Sequence, residues 1–169
     1  MTDDAAATGD DAPPIELEVT QKAVLFDPDE RVLLLADDGA WEFPGGRVSA
    51  KEDAREGLLR ELREETGLDP AVGPPVYTTA YERASGTPTF AVVYVCETAG
   101  TDLRLSEEHD EFAWVDPASE AGAGTDGRLS PAQSTALSRA LAVDRDRLGG
   151  GGGADGVDPA TATDTDKST

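Results

Sequence analysis

The chain has 169 residues, with 35 Asp and Glu against 14 Lys and Arg, a formal charge of -21 at pH 7. That is the size of one ordinary domain with its own hydrophobic core. A nucleic-acid groove is excluded as the main function, because duplex binding draws on Lys and Arg meeting phosphates, and the only lysines, Lys22, Lys51 and Lys167, each stand apart from other basic residues.

The acid is spread along the whole sequence, a pattern that fits a halophilic prokaryotic host, where salt shortens the reach of self-repulsion. Cys96 is the single cysteine, so neither an intramolecular disulfide nor a cysteine-rich zinc site can form. No apolar run reaches transmembrane length, and the acidic N-terminus lacks the basic start and apolar centre of a signal peptide. A cytoplasmic protein that contacts no membrane is the expectation.

In chain order, residues 1–14 are expected to be a disordered acidic tail, 15–148 the folded domain, and 149–169 a disordered tail rich in Gly, Asp and Thr. Val19 to Phe26 and Arg31 to Ala36 read as a β-hairpin around Asp27-Pro28-Asp29-Glu30. Trp41-Glu42-Phe43 then reaches a Pro44-Gly45-Gly46 turn, whose two glycines let the backbone approach something closely. A helix follows, capped by Asp53 in preference to Ser49, with Ala54, Leu58 and Leu62 as its inward stripe and Gly67 closing it in the left-handed conformation. Val76 to Tyr81, Phe90 to Glu97 and Phe112 to Val115 read as strands, the middle one apolar enough to be central. Ser130-Pro131 starts a last helix that turns Leu137, Ala140, Leu141 and Val143 inward. This order gives an α/β (α+β) fold with a mixed sheet between helices.

Glu61, Glu64 and Glu65 share one helix face, since three- and four-residue separations are neighbours on a helix. Glu65 lies beside the apolar stripe and is expected to be partly withdrawn from water. Like charges so arranged repel, and a cation among them reverses the sign. Magnesium prefers such oxygen ligands and keeps waters for a phosphate-bearing substrate. The alternative is a solvated helix stitched by ion pairs, to which Glu56, Arg60 and Glu64 contribute at four-residue spacing.

Gly46, Glu52 and Arg60-Glu61-Leu62-Arg63-Glu64-Glu65-Thr66-Gly67-Leu68 fill every specified position of G-x5-E-x7-R-E-U-x-E-E-x-G-U, where U is aliphatic. The chain therefore resembles the Nudix hydrolases over about Val19 to Val143. The resemblance implies an α/β/α sandwich and hydrolysis of the pyrophosphate bond in a nucleoside diphosphate derivative. It makes Glu61, Glu64, Glu65 and the Gly45 carbonyl ligands of magnesium, with manganese able to substitute. It gives Arg60 the task of orienting the glutamates, and Gly46, Glu52 and Gly67 a structural part. Glu61 is the implied general base unless a late loop supplies one, for which Glu108 is the first choice.

Trp41-Glu42-Phe43-Pro44-Gly45-Gly46 is similar to the segment before the box in the MutT-like branch, which acts on (deoxy)nucleoside triphosphates. Trp41, Phe43 and Tyr81, with Tyr77 and Trp114 behind them, are candidates to stack a base, although such aromatics more often fill a core. An ADP-ribose or nucleotide-sugar pyrophosphatase is the alternative enzyme, and a non-catalytic nucleotide-binding Nudix module the alternative of another class. The intact glutamates weigh against the module. His109, amid acids, reads as an exposed loop residue, and Gly149 to Gly153 as a flexible linker rather than a phosphate loop. Relatives commonly pair, and free strand edges would support a homodimer.

Overall fold

Alternation along the first two strands decides how the layers stack. In the computed structural model, which describes residues 15–121, 127–145 and 148, β1 is Glu18–Phe26 and β2 is Val32–Asp37. Side chains point alternately to opposite faces of a strand, and here both faces are apolar. Ala23, Leu25, Leu33 and Leu35 point to one side, where Leu58, Leu62, Leu68 and Cys96 meet them. Val24, Phe26, Val32 and Leu34 point to the other, against Val93, Val95, Ala136, Leu137 and Ala140. The sheet is thus sandwiched between helix α1, Ala54–Thr66, and helix α3, Pro131–Leu141. Each fully buried leucine contributes about 2 kcal/mol of transfer free energy.

The remaining elements are β3 Ala40–Glu42, β4 Ala71–Glu82, β5 Pro88–Glu97, β6 Glu111–Val115 and a single-turn helix α2, Pro117–Glu120. The strand order is β3-β2-β1-β5-β4, with β6 also paired to β2. β1 runs parallel to β5 along its whole length, while the other pairings are antiparallel, so the sheet is mixed. β5 is inner, between β1 and β4, as its apolar sequence predicts. Cys96 on it is fully buried, and burial pushes its thiol pKa up to about 12.

Several expectations change. The first hairpin joins at the single register pair Phe26↔Val32 before β1 and β2 part, because β1 pairs with β5 and β2 with β3 and β6. β4 begins at Ala71 rather than Val76; it sits at the sheet edge, where register shifts between Val72, Pro75 and Tyr77 absorb two prolines. Ala54 is exposed, so the inward face of α1 starts at Gly57 and Leu58. Leu141 is 41% exposed, whereas Val143 packs on the core. Helix α2, capped by Asp116 with Pro117 in its first turn, was not anticipated. The segments 1–14 and 149–169, including the Gly149 to Gly153 run, lie outside the described residues.

Candidate active site at the carboxylate face of helix α1

The glycine turn is laid against β1 like a short extra strand. Gln21 N–H donates to Gly46 O at 2.8 Å, Ala23 N–H to Pro44 O at 2.9 Å, and Val48 N–H to Val19 O at 3.0 Å. Gly45 adopts φ 127°, and a Cβ there would come within 2.3 Å of the Gln21 carbonyl oxygen. Only glycine fits both the conformation and the space. At Gly46 a Cβ would fall 2.4 Å from the Glu61 carboxyl carbon, so the missing side chain is what lets Glu61 rest against the turn.

Helix α1 delivers the glutamates. Asp53 caps its N-terminus, accepting from Arg55 N–H at 2.9 Å, and Gly67 at φ 71° closes it by donating to Arg63 O. Glu65 is buried and accepts the Gly45 N–H at 2.7 Å. Desolvation raises its pKa to about 7; the Gly45 hydrogen bond and the Lys22 charge oppose that rise without cancelling it. Arg60 meets Glu52 at 2.8 Å, Glu61 at 2.8 Å and Glu64 at 3.2 Å. These partners raise the guanidinium pKa further, and Arg60 in turn lowers that of Glu52. Glu52 also accepts from Ser49 N–H at 3.1 Å and fills the space beside Gly57, bracing the corner where the loop becomes helix.

Glu61, Glu65, Gly45, Gly46 and Glu108 line one polar cavity of about 1170 Å³. The late loop thus faces the same space as the helix. Glu64 does not line the cavity, and its side chain is 60% exposed. Among the described residues no three acidic, imidazole or thiol groups stand together as a finished metal cage. The donor set nevertheless fits a hard ion: it is all oxygen, one carboxylate is desolvated with its pKa raised by burial, and Glu61 and Glu64 share one guanidinium as counter-charge.

A second, more apolar cavity of about 380 Å³ adjoins the first, sharing Lys22, Glu42 and Tyr81 with it. Phe43, Tyr77 and Val93 form its apolar part, and Ser130 and Gln133 at the start of α3 supply polar groups. Of the aromatic candidates, Tyr81 is 44% exposed and lines both cavities, while Phe43 is a core residue with an edge on the smaller one. Trp41 lines neither; Arg128 covers its ring, and its carbonyl accepts from Gln133. Trp114 packs into the core under α1.

His109 departs from the exposed position expected of it. Its side chain is buried in the cavity wall, with Nε2 3.6 Å from a Glu42 carboxylate oxygen. The acids around it in sequence are solvated, whereas the loop turns the imidazole itself inward. Lys22, Glu42 and Gln133 line the candidate site although sequence reasoning did not name them. A signal existed for Lys22, a lone charge entering the otherwise apolar Ala23 to Phe26 run.

Residues 17–134 match the NUDIX domain. The chain belongs to the Nudix family. It is 32% identical over 108 residues to a MutT-like protein of Streptomyces ambofaciens, a match spanning 63% of this chain and 68% of that protein. Similarity to a CTP pyrophosphohydrolase of Escherichia coli is also 32%, over 101 residues, covering 56% of this chain and 73% of the relative. Among solved structures, a MutT protein from Methanosarcina mazei superposes with a TM-score of 0.65 at 25% identity, covering 76% of this chain and 97% of the other. The MutT-like branch of the Nudix hydrolases is where this chain falls, and the mixed sheet between helices is the fold of those neighbours.

Proposed function

We propose that this Nudix hydrolase is a magnesium-dependent pyrophosphohydrolase of (deoxy)nucleoside triphosphates. The observation that carries the reading is the junction of the two cavities: an apolar pocket suited to a base opens into a polar cleft holding Glu61 and Glu65, with Tyr81 common to both. A small planar apolar group and a polyphosphate chain thus each find a matching surface. The MutT-like and CTP-hydrolysing relatives support a triphosphate substrate.

Glu61, Glu64 and Glu65 are the proposed magnesium ligands, and manganese could substitute. A divalent ion bound there supplies neutralising charge for the pyrophosphate oxygens and a more acidic water. The rest falls to the chain itself. Glu61, held against Gly46, takes the proton of the attacking water, or Glu108, which lines the same cavity, does so. Arg60 keeps Glu61 and Glu64 on one side of the helix through paired hydrogen bonds. Glu52 anchors that guanidinium and thereby acts by positioning.

The surroundings are proposed in the same terms. Residues 15–148 form the catalytic unit; the acidic surface suits a cytoplasm rich in salt, and exposed strand edges leave a homodimer open. Among the described residues no helix is long and apolar enough to cross a membrane.

Phosphate or pyrophosphate release from 8-oxo-dGTP, dCTP, ADP-ribose and diadenosine polyphosphates, assayed with magnesium at high potassium chloride, tests the substrate class. Turnover concentrated on the triphosphates is expected. Preference for ADP-ribose would replace the triphosphate reading with the nucleotide-sugar one, and tight binding without any turnover would make the chain a nucleotide-binding module.

A further inference from the structure

The smaller, apolar cavity draws its lining from two sources that are held in different ways. Tyr77, Thr79 and Val93 belong to the paired strands β4 and β5, whereas Ser130, Ala132 and Gln133 belong to the cap and first turn of α3. Burial anchors α3 from Ala136 onward, through Ala136, Leu137 and Ala140. None of residues 127–135 is buried, and of them Leu129 alone packs partly on the core. Polar groups tie this stretch down instead. Glu120 grips the chain on both sides of Ser130. Its carboxylate, 3% exposed, accepts from the Arg128 backbone N–H and from the Arg128 guanidinium, each at 2.9 Å, and its carbonyl accepts from the Ser134 hydroxyl at 3.2 Å. Arg128 in turn lies over the Trp41 ring, 5.1 Å from its centre, and the Trp41 carbonyl accepts from Gln133 Nε2 at 3.3 Å. Trp41 on β3 thus holds the late segment by ring and by backbone.

We infer that Arg128 is a positioning residue for the nucleotide: pinned between Glu120 and the Trp41 ring, it sets how closely the first turn of α3 stands to the sheet and so how tightly the cavity fits a base. This inference rests on the reading of that cavity as the base pocket. Arg128 lines neither cavity and acts through Trp41, Ser130 and Gln133. A flat guanidinium suits the task, because its face can stack on a ring while its edge donates to a carboxylate. The fit matters because a radial gap of about 0.5 to 1 Å already forfeits a quarter to a half of a van der Waals contact. A first turn released from the clamp would therefore weaken binding of the base, and binding would carry the added cost of ordering that turn. The chemistry would be spared, since Glu61 and Glu65 are fixed by α1 and the glycine turn.

Two measurements on the full chain at high potassium chloride separate binding from chemistry. Binding of dCMP and dGMP is followed by isothermal titration calorimetry with chelator present, and hydrolysis of dCTP and dGTP is followed with magnesium. The proteins are wild type, Arg128→Met, Arg128→Met combined with Glu120→Gln, and Arg104→Met. The combined variant leaves no unpaired buried carboxylate and so guards against a folding defect in Arg128→Met; circular dichroism is recorded for each protein. In both Arg128 variants Kd for the monophosphate is expected to rise roughly tenfold. KM for the matching triphosphate should rise by a similar factor with kcat within about twofold of wild type. Arg104→Met removes the same charge from an exposed residue that lines neither cavity and is expected to behave as wild type. Unchanged Kd and KM in the folded Arg128 variants would overturn the inference while leaving a nucleotide pyrophosphohydrolase. A loss confined to kcat would overturn it too, as would equal weakening in Arg104→Met, which would reduce the effect to general charge. Wild-type protein that binds neither monophosphate and hydrolyses neither triphosphate would remove the base-pocket reading and this inference together.

Discussion

Glu65 is 5% exposed, and desolvation holds its carboxyl near a pKa of about 7 against an ordinary value of 4.5. Its folded pKa is raised, so between those two values the unfolded chain has lost a proton that the folded chain keeps. Stability of the metal-free protein therefore falls as pH rises through this window and levels off above it. The full penalty is about 3 kcal/mol. Glu65→Gln keeps an acceptor for Gly45 N–H and removes the titration. In urea unfolding with chelator present, its advantage over wild type should be small at about pH 5 and grow by roughly 2 to 3 kcal/mol by about pH 8. An advantage independent of pH would mean that Glu65 is not withdrawn from water.

The adjacent glycines separate fold from chemistry. In Gly45→Ala the new methyl meets the Gln21 backbone carbonyl at 2.3 Å with φ at 127°, and neither can yield, so a loss of more than about 2 kcal/mol is expected in a denaturant titration. In Gly46→Ala it meets only the movable end of Glu61. That variant should unfold within about 1 kcal/mol of wild type, yet lose tenfold or more in turnover because the carboxylate is displaced. Equal stability losses in the two would contradict this division.

Helix α1 carries the glutamates of the candidate site, and two local features fix it. Asp53→Ala removes the acceptor for Arg55 N–H and should cost about 1 kcal/mol. Leu58→Ala empties a fully buried position facing β1 and β2 and should cost about 2 to 5 kcal/mol. Both are read from urea midpoints, and a cap variant costing more than the cavity variant would reverse the account of what holds the helix. These features were legible in the sequence because they are local: Asp53, the four-residue period from Leu58 to Leu62, and Gly67 each act within a turn or two. The N-terminus of β4 was not legible, since Pro74 and Pro75 argue against a strand and only the edge position with its register shifts admits them. The role of Trp41 was equally hidden, because its cover, Arg128, comes from a segment far along the chain. Lys22 and His109 reach the cavity through long-range packing that no spacing rule encodes.

At the scale of the molecule, a formal charge of -21 opposes compaction through self-repulsion, which salt screens. The denaturation midpoint should rise steadily between about 0.1 and 2 M potassium chloride. A midpoint that falls over that range would show that surface charge is not the limiting term. The same whole-molecule view explains how much of the site could be foreseen. Nine motif positions name the glutamates and glycines, but the polar cavity beside them arises where β1, β3, β4, α1 and the late loop meet, and the apolar one where β1, β4, β5 and α3 converge.

The proposed turnover rests on carboxylates of helix α1, of which Glu61 and Glu65 lie against the glycine turn. The most direct measurement is the rate of nucleotide hydrolysis at saturating magnesium and high salt for wild type and the double variant Glu64→Gln with Glu65→Gln, each checked for an unchanged circular dichroism spectrum. The account predicts a loss of several orders of magnitude in kcat with the fold intact. Wild-type turnover in the folded double variant would contradict it.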